Sequence, residues 1–540
     1  MPANKIKSLN YQPLSKSVEK GGANAGDQSS LKSADKSAKE KNGSLPESLI
    51  NPAKKTSSQF STEASSEIQE AARAEIFVSE KNETQKANPV PAKETLYAEQ
   101  QKRNKQEKKA KQDRELLGSD HWLVRNGHNL TYFALYLFSI IVLFRPYELV
   151  SSLSFLSATA FYFGIATLII YIPAQFSAEG NLTTVSTEVK ALLAMLLIAL
   201  ITMPLAKSPP LAWVTFNDSF IKSVLIFIVM INVVRTRRRL MGMIWLSLSI
   251  GVLLSYMALG MYVRGEMKVE GYRVGVEITG MFANPNEMSL HLVMMIPLAI
   301  TLAIGGKSKV MRVVYFGMAA IMLFANMITY SRGGFLALIA SSSFLAWKLG
   351  RKNRLGVALA AAATGILVTL LAPGNFGMRI LSIFDSELDE AGSSSQRQEL
   401  LYRSIFVSIR NPWGIGMGNF PIVSISNLVS HNSYTQVSAE LGVLGLAAYL
   451  VFIISPFRKL GAIERTQFAK DDLNWFYYVA IGLQASFIAF WVASCFASVA
   501  YYWFIYYLIA YAIAFRRIYK IENNLSEELQ AEPLWKRQTT

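Results

Sequence analysis

The sequence predicts an all-α polytopic membrane protein, and three observations predict it. Mean hydropathy is +0.26 although roughly the first 120 residues are polar, and 51% of the 540 residues are apolar. After Gly127 apolar segments recur, each close to the ~20 residues that a helix rising 1.5 Å per residue needs to cross hydrocarbon. Basic clusters fall in alternate connections, as cytoplasmic loops require.

In chain order, residues 1–120 are dominated by Lys, Ser, Glu, Ala, Gln and Asn. Such a composition cannot bury enough apolar surface to offset chain entropy, so a disordered basic cytoplasmic tail is expected. Residues 1–30 hold no apolar run, which leaves the first hydrophobic helix as the insertion signal. The basic run Lys102 to Arg114 suits a solvated helix near anionic lipid. Without aromatic interleaving it does not favour nucleic acid. Twelve transmembrane segments are expected, at about 130–144, 153–174, 189–206, 219–234, 240–263, 285–304, 310–328, 333–349, 355–372, 434–455, 473–494 and 497–515. The membrane domain thus spans 130–515, with a cytoplasmic tail at 516–540.

The net charge of +16 comes from 54 Lys and Arg, and their placement matters more than their sum. With the N-terminus inside, the clusters at Arg235 to Arg239, Lys307 and Lys309, Arg351 to Arg354, Arg458 to Lys470, and Arg516 to Lys520 share one side. The loop 175–188, neutral to acidic, is the exception. Two sizeable loops, 264–284 and 373–432, fall on the extracytoplasmic side. No internal repeat relates the halves, which weakens a repeat-built transporter. The single cysteine, Cys495, lies in an apolar stretch and is expected to be a buried structural thiol.

His431 stands where the large loop returns to an apolar helix. Asn432 is placed to cap that helix, whose positive end would keep His431 neutral and able to take a proton. Glu440, two turns deeper, would face hydrocarbon unless paired or protonated, and is a supporting residue that could orient a neighbour. Arg332, in Ser331-Arg332-Gly333-Gly334, sits at a helix end beside glycines that offer room for close ligand approach. Arg264, Arg273, Arg379, Arg397, Arg403 and Arg410 are also extracytoplasmic, where guanidinium forks would suit phosphate oxygens, lipid headgroups or neighbouring carboxylates. His291 suits a helix contact better than catalysis, and His121 and His128 should be cytoplasmic. Gly414-Ile415-Gly416-Met417-Gly418-Asn419 lacks the βαβ setting of a phosphate loop and is expected to be a flexible loop. No nucleotide motif or metal-ligand pattern is present, so no cofactor is expected.

Gly280-Met281-Phe282-Ala283-Asn284-Pro285-Asn286, Ser331-Arg332-Gly333-Gly334, Asn411-Pro412-Trp413-Gly414-Ile415-Gly416-Met417-Gly418-Asn419-Phe420 and the His431 segment occur in that order. Together they resemble the bacterial O-antigen ligase and polymerase superfamily over roughly residues 200–455. The most specific element is His431-Asn432, nine residues, Gly442, two residues, Gly445. The resemblance implies a GT-C-like membrane glycosyltransferase of the bacterial inner membrane. It would move a glycan from undecaprenyl diphosphate to an extracytoplasmic acceptor, as in lipopolysaccharide biosynthesis, without metal or nucleotide. It also implies His431 as the catalytic base, with Arg332 and Arg397 on the diphosphate and Arg403 in reserve. The acceptor could be lipid A-core, a protein hydroxyl or a growing glycan. A polysaccharide polymerase and, from another class, a twelve-helix transporter are the competing readings.

Overall fold

The computed structural model describes residues 122–524 with interruptions at 145–146, 148–150, 155, 180, 268, 277–281, 372–376 and 378–392, together with 103, 104, 107 and 108. The chain divides into two compact units, Met1–Val90 and Pro91–Thr540, of which the first lies outside the described residues. So do the expected disordered tail up to 102, His121, Arg379 and the last residues of the C-terminal tail.

The described chain is helical: α1 Trp122–Phe144, α2 Leu156–Glu179, α3 Thr187–Thr202, α4 Pro209–Thr215, α5 Ile221–Val233, α6 Arg237–Val263, α7 Pro285–Gly305 and α8 Lys309–Ile328. There follow α9 Arg332–Leu349, α10 Arg354–Leu371, α11 Ser393–Arg410, α12 Phe420–Val423, α13 Ser433–Ala469, α14 Trp475–Ala493 and α15 Trp503–Glu522. The helices start where the sequence supplies acceptors. Ser186, Thr236, Asn284, Ser308, Ser331, Asn432 and Asn474 each take a backbone N–H of the following turn. α7 is the central helix, with 83% of its apolar stretch buried against 39% for α3 and α8. It packs on α8, α9 and α14.

Among the described residues, eight helices are long and apolar enough to cross a membrane, four fewer than expected. The protein is a multi-pass membrane protein of all-α class. Two of these differences have local causes, and the expected spans at 153–174 and 355–372 include residues outside those described. Residues 497–502 form a turn, so the last helix begins at Trp503 and leaves only the apolar stretch 503–515 before Arg516 and Arg517. α9 carries Arg332, Lys348 and three consecutive serines, Ser341 to Ser343.

The two ends of the bundle differ chemically. One gathers buried ion pairs. Glu464, fully buried, accepts from Lys348 Nζ at 2.6 Å and Arg351 at 2.7 Å. Glu188, also fully buried, is held by Arg516, Lys459 and Ser455. Both carboxylates meet two cations, which is how a charge survives inside a bundle. The other end gathers the 264–276 loop, the Ser331 turn, residues 411–433 and the 494–502 turn. Cys495 lies on that last turn and is exposed, not buried as expected, because the helix has ended before it.

α13 is two helices in series. Gly442, at φ 74° and ψ −173°, breaks the helix in the middle of an apolar stretch. A break at such depth is tolerated only where protein satisfies the freed backbone groups. Here the segment Asn411 to Asn419 does so. Ile415 and Gly416 donate their N–H groups to the Ala439 and Glu440 carbonyls at 2.9 Å, and Val443 donates to the Pro412 carbonyl at 2.9 Å. Ile415, Met417, Asn419 and Phe420 are buried. The glycine-rich segment is therefore a packed strap and not the flexible loop expected from composition.

Candidate active site

The site is built at the end of the bundle opposite Glu464. His431 immediately precedes the cap of α13 and adopts a left-handed backbone, φ 52°. Histidine tolerates that region better than most side chains, but the conformation still costs on the order of 1 kcal/mol and needs anchoring. The anchors come from the end of α14 and the turn after it. Asn432 accepts from the Tyr434 and Thr435 N–H groups and donates Nδ2 to the Cys495 carbonyl at 3.1 Å. Ser433 donates to the Ala497 carbonyl at 2.7 Å and accepts from the Val499 N–H at 3.0 Å. Tyr434 donates to the Trp491 carbonyl at 2.9 Å.

Arg332 opens α9 on the other side of the same turn. Its neighbour Gly333 lies so close to Phe496 that an added Cβ would stand 2.8 Å from the Phe496 Cβ. At Gly334 an added Cβ would fall 1.7 Å from Ser289 Oγ. The two glycines admit protein neighbours here, which corrects the expectation that they leave room for a ligand. Ser331 caps α9 through the Gly334 N–H at 3.2 Å and donates to Asn286 Oδ1 at 2.9 Å. Asn286 Oδ1 also accepts from Arg273, whose Nε donates to the Thr329 carbonyl at 2.9 Å. Arg273 is thus a buried brace between the 264–276 loop and the Arg332 turn. Sequence reasoning placed Arg273 on this side but had no signal for that role.

α11, inside what the sequence treats as one large loop, carries both candidate loop arginines. Arg397 is half-buried and close enough for its charge to act on His431. Burial, and then the Arg397 guanidinium, push the imidazole down from 6.5 to about 4. At neutral pH His431 is therefore an uncharged base. It makes no side-chain hydrogen bond among the described residues. Arg403, six positions on, is exposed and donates Nε to the Val423 carbonyl at 2.9 Å. The structure brings Arg397 to His431 and leaves Arg403 tying α11 to the residues after the strap.

Glu440 does not face hydrocarbon. It is 1% exposed, and its Oε1 accepts from the Phe420 N–H at 3.4 Å. Nine residues of helix put it about 13 Å from His431, so it supports the strap and not the imidazole directly. The half-helix from Ser433 to Leu441 explains the spacing of the histidine motif: it runs from the cap at Asn432 to the break at Gly442. Glu287, in the first turn of α7 at the same end, has a carboxylate oxygen with no hydrogen bond among the described residues, a feature the sequence did not mark. His291 is buried against Phe282, Trp503 and Phe504, as a helix contact.

A left-handed histidine at a helix start, an adjacent loop arginine and a second arginine across one turn thus lie together at one end of a polytopic helical bundle. Residues 317–450 match the O-antigen ligase family, a stretch that includes Arg332, Arg397, the strap and His431. That stretch is similar to O-antigen ligases, a family of ligase or glycosyltransferase type. No curated protein matches the chain.

Proposed function

We propose that the protein transfers a glycan from undecaprenyl diphosphate to an acceptor hydroxyl at the outer face of the bacterial inner membrane. The observation that carries this reading is the pairing of a neutral, half-buried His431 with Arg397, with Arg332 on the far side of the turn that anchors both segments. Attack by the acceptor hydroxyl on the anomeric carbon forms a glycosidic bond and breaks the sugar–phosphate bond. His431 takes the hydroxyl proton, and the departing diphosphate leaves with its negative charge on Arg332 and Arg397. No step in this scheme needs a metal or nucleotide. As diphosphate binds, its charge opposes that of Arg397 and raises the basicity of His431 for the transfer.

The charge pattern supports an outward-facing site. Lys348, Arg351, Lys352, Lys459 and Arg516 are all held at the opposite end, which the positive-inside rule assigns to the cytoplasm. Both termini are then cytoplasmic. Acceptors in order of preference are lipid A-core and protein, because the histidine motif resembles ligases more than polymerases. Mass analysis of cell-surface lipid, protein and polysaccharide after deletion of the chain identifies the acceptor. Loss of glycan from one of the first two supports the reading, and shortened lipid-linked chains with intact transfer would make the enzyme a polymerase.

A further inference from the structure

α11 has two apolar faces, and only one of them is packed. Leu400, Ser404 and Val407, on one stripe, are buried against Ile415, Phe420 and Ala439. On the opposite stripe Tyr402, Ile405, Phe406 and Ile409 are exposed, Tyr402 and Ile409 by more than 70%. Exposed apolar surface of this kind on one helix marks an interaction face. Its flank is basic: Arg410 lies 4.2 Å over the Phe406 ring, and Arg403 is exposed one turn before it.

The neighbouring surface says what covers the face. Trp413, just after α11 and 70% exposed, follows Pro412, whose carbonyl accepts the Val443 N–H. Val443 and Leu444 are themselves more than half exposed, and they begin the stripe that continues through Ala447, Val451 and Ile454 down α13. In a membrane-crossing helix such a stripe meets acyl chains. The exposed face of α11 is continuous with it through Trp413.

We propose that α11 lies in the plane of the leaflet at the His431 end, with Tyr402, Ile405, Phe406 and Ile409 in the boundary between headgroups and acyl chains. Arg403 and Arg410 then sit among lipid phosphates, as the basic flank of an interfacial helix does. Arg397 lies on a different stripe, toward His431, so one helix carries the lipid contact and a site residue together. α11 becomes a sill over which a lipid-borne substrate reaches the base. That this leaflet is the outer one rests on the proposed function; the in-plane seating does not.

The test uses full-length protein with Cys495→Ala in nanodiscs of phosphatidylethanolamine and phosphatidylglycerol. Single cysteines at Ile405→Cys and Ile409→Cys, with Gln396→Cys as the polar-side control, are labelled with an environment-sensitive fluorophore. The proposal expects probes at 405 and 409 to be quenched by a shallow lipid-borne nitroxide and several-fold less by aqueous iodide than the probe at 396. Iodide reaching 409 as freely as 396 would overturn it. Shielding of 405 and 409 from both quenchers would overturn it too, by showing that protein covers the face. Neither outcome depends on glycan transfer, so failure here leaves the transferase assignment standing, and the reverse.

Discussion

His431 titrates low for two reasons that mutation can separate. Arg397 contributes positive charge, which disfavours imidazolium; removing that charge raises the imidazole pKa from about 4 toward, but short of, 6.5, because burial persists. A reaction that needs neutral His431 then begins to fail at higher pH. The acid limb of kcat/KM in Arg397→Gln should therefore move upward from that of the wild type, in addition to any loss of donor binding. Arg332→Ala should lower transfer on the order of 10²-fold or more, as loss of a charge-stabilising donor does. Arg403→Ala should leave transfer within a few-fold, since its guanidinium is exposed and tied to Val423; rates in membranes carrying equal amounts of each variant distinguish the three. At this scale the sequence singled out His431, Asn432 and Arg332 as candidates because each belongs to a short contiguous motif. It preferred Arg397 and kept Arg403 in reserve, but the deciding feature, which stripe of α11 meets the α13 cap, is not written in the sequence.

The broken α13 is the element on which the site depends. An alanine at Gly442 would have to adopt a left-handed φ of 74° and place its Cβ 2.3 Å from the Pro412 carbonyl oxygen. Gly442→Ala should therefore lower the melting temperature in detergent and loosen the strap, read as faster proteolysis or amide exchange across 411–420. Asn432→Ala removes the cap of the half-helix and should cost about 1 kcal/mol, with Asn432→Asp restoring most of it. The motif spacing was legible in the sequence, but its cause was not. The strap and the break are paired by backbone bonds between residues 24 to 31 positions apart, and neither hydropathy nor period reports such pairing. The same blindness made the strap look like a flexible loop and left the partner of Glu440 unnamed.

Across the whole molecule, two unlike ends account for both orientation and stability. Glu464→Ala would leave Lys348 and Arg351 without their buried carboxylate and should destabilise the bundle by about 3–5 kcal/mol, measured as thermal unfolding in detergent. The all-helical class, the multi-pass character and the basic end were open to reading because hydropathy and charge are sums over many residues. The number of crossings was less so: 497–515 reads as one apolar run although its helix begins only at Trp503, and the run 333–349 conceals the polar ends and serines of α9. The O-antigen ligase match lies on the part of this bundle that holds the site, which makes one measurement decisive. Purified wild-type protein and His431→Ala, each shown to be folded by its melting curve, are given undecaprenyl-diphosphate-linked glycan and a lipid A-core acceptor, and released undecaprenyl diphosphate is counted. A catalytic His431 predicts release coupled to glycosylated acceptor in the wild type and a loss on the order of 10² to 10⁴-fold in the variant. Undiminished release by folded His431→Ala would contradict it.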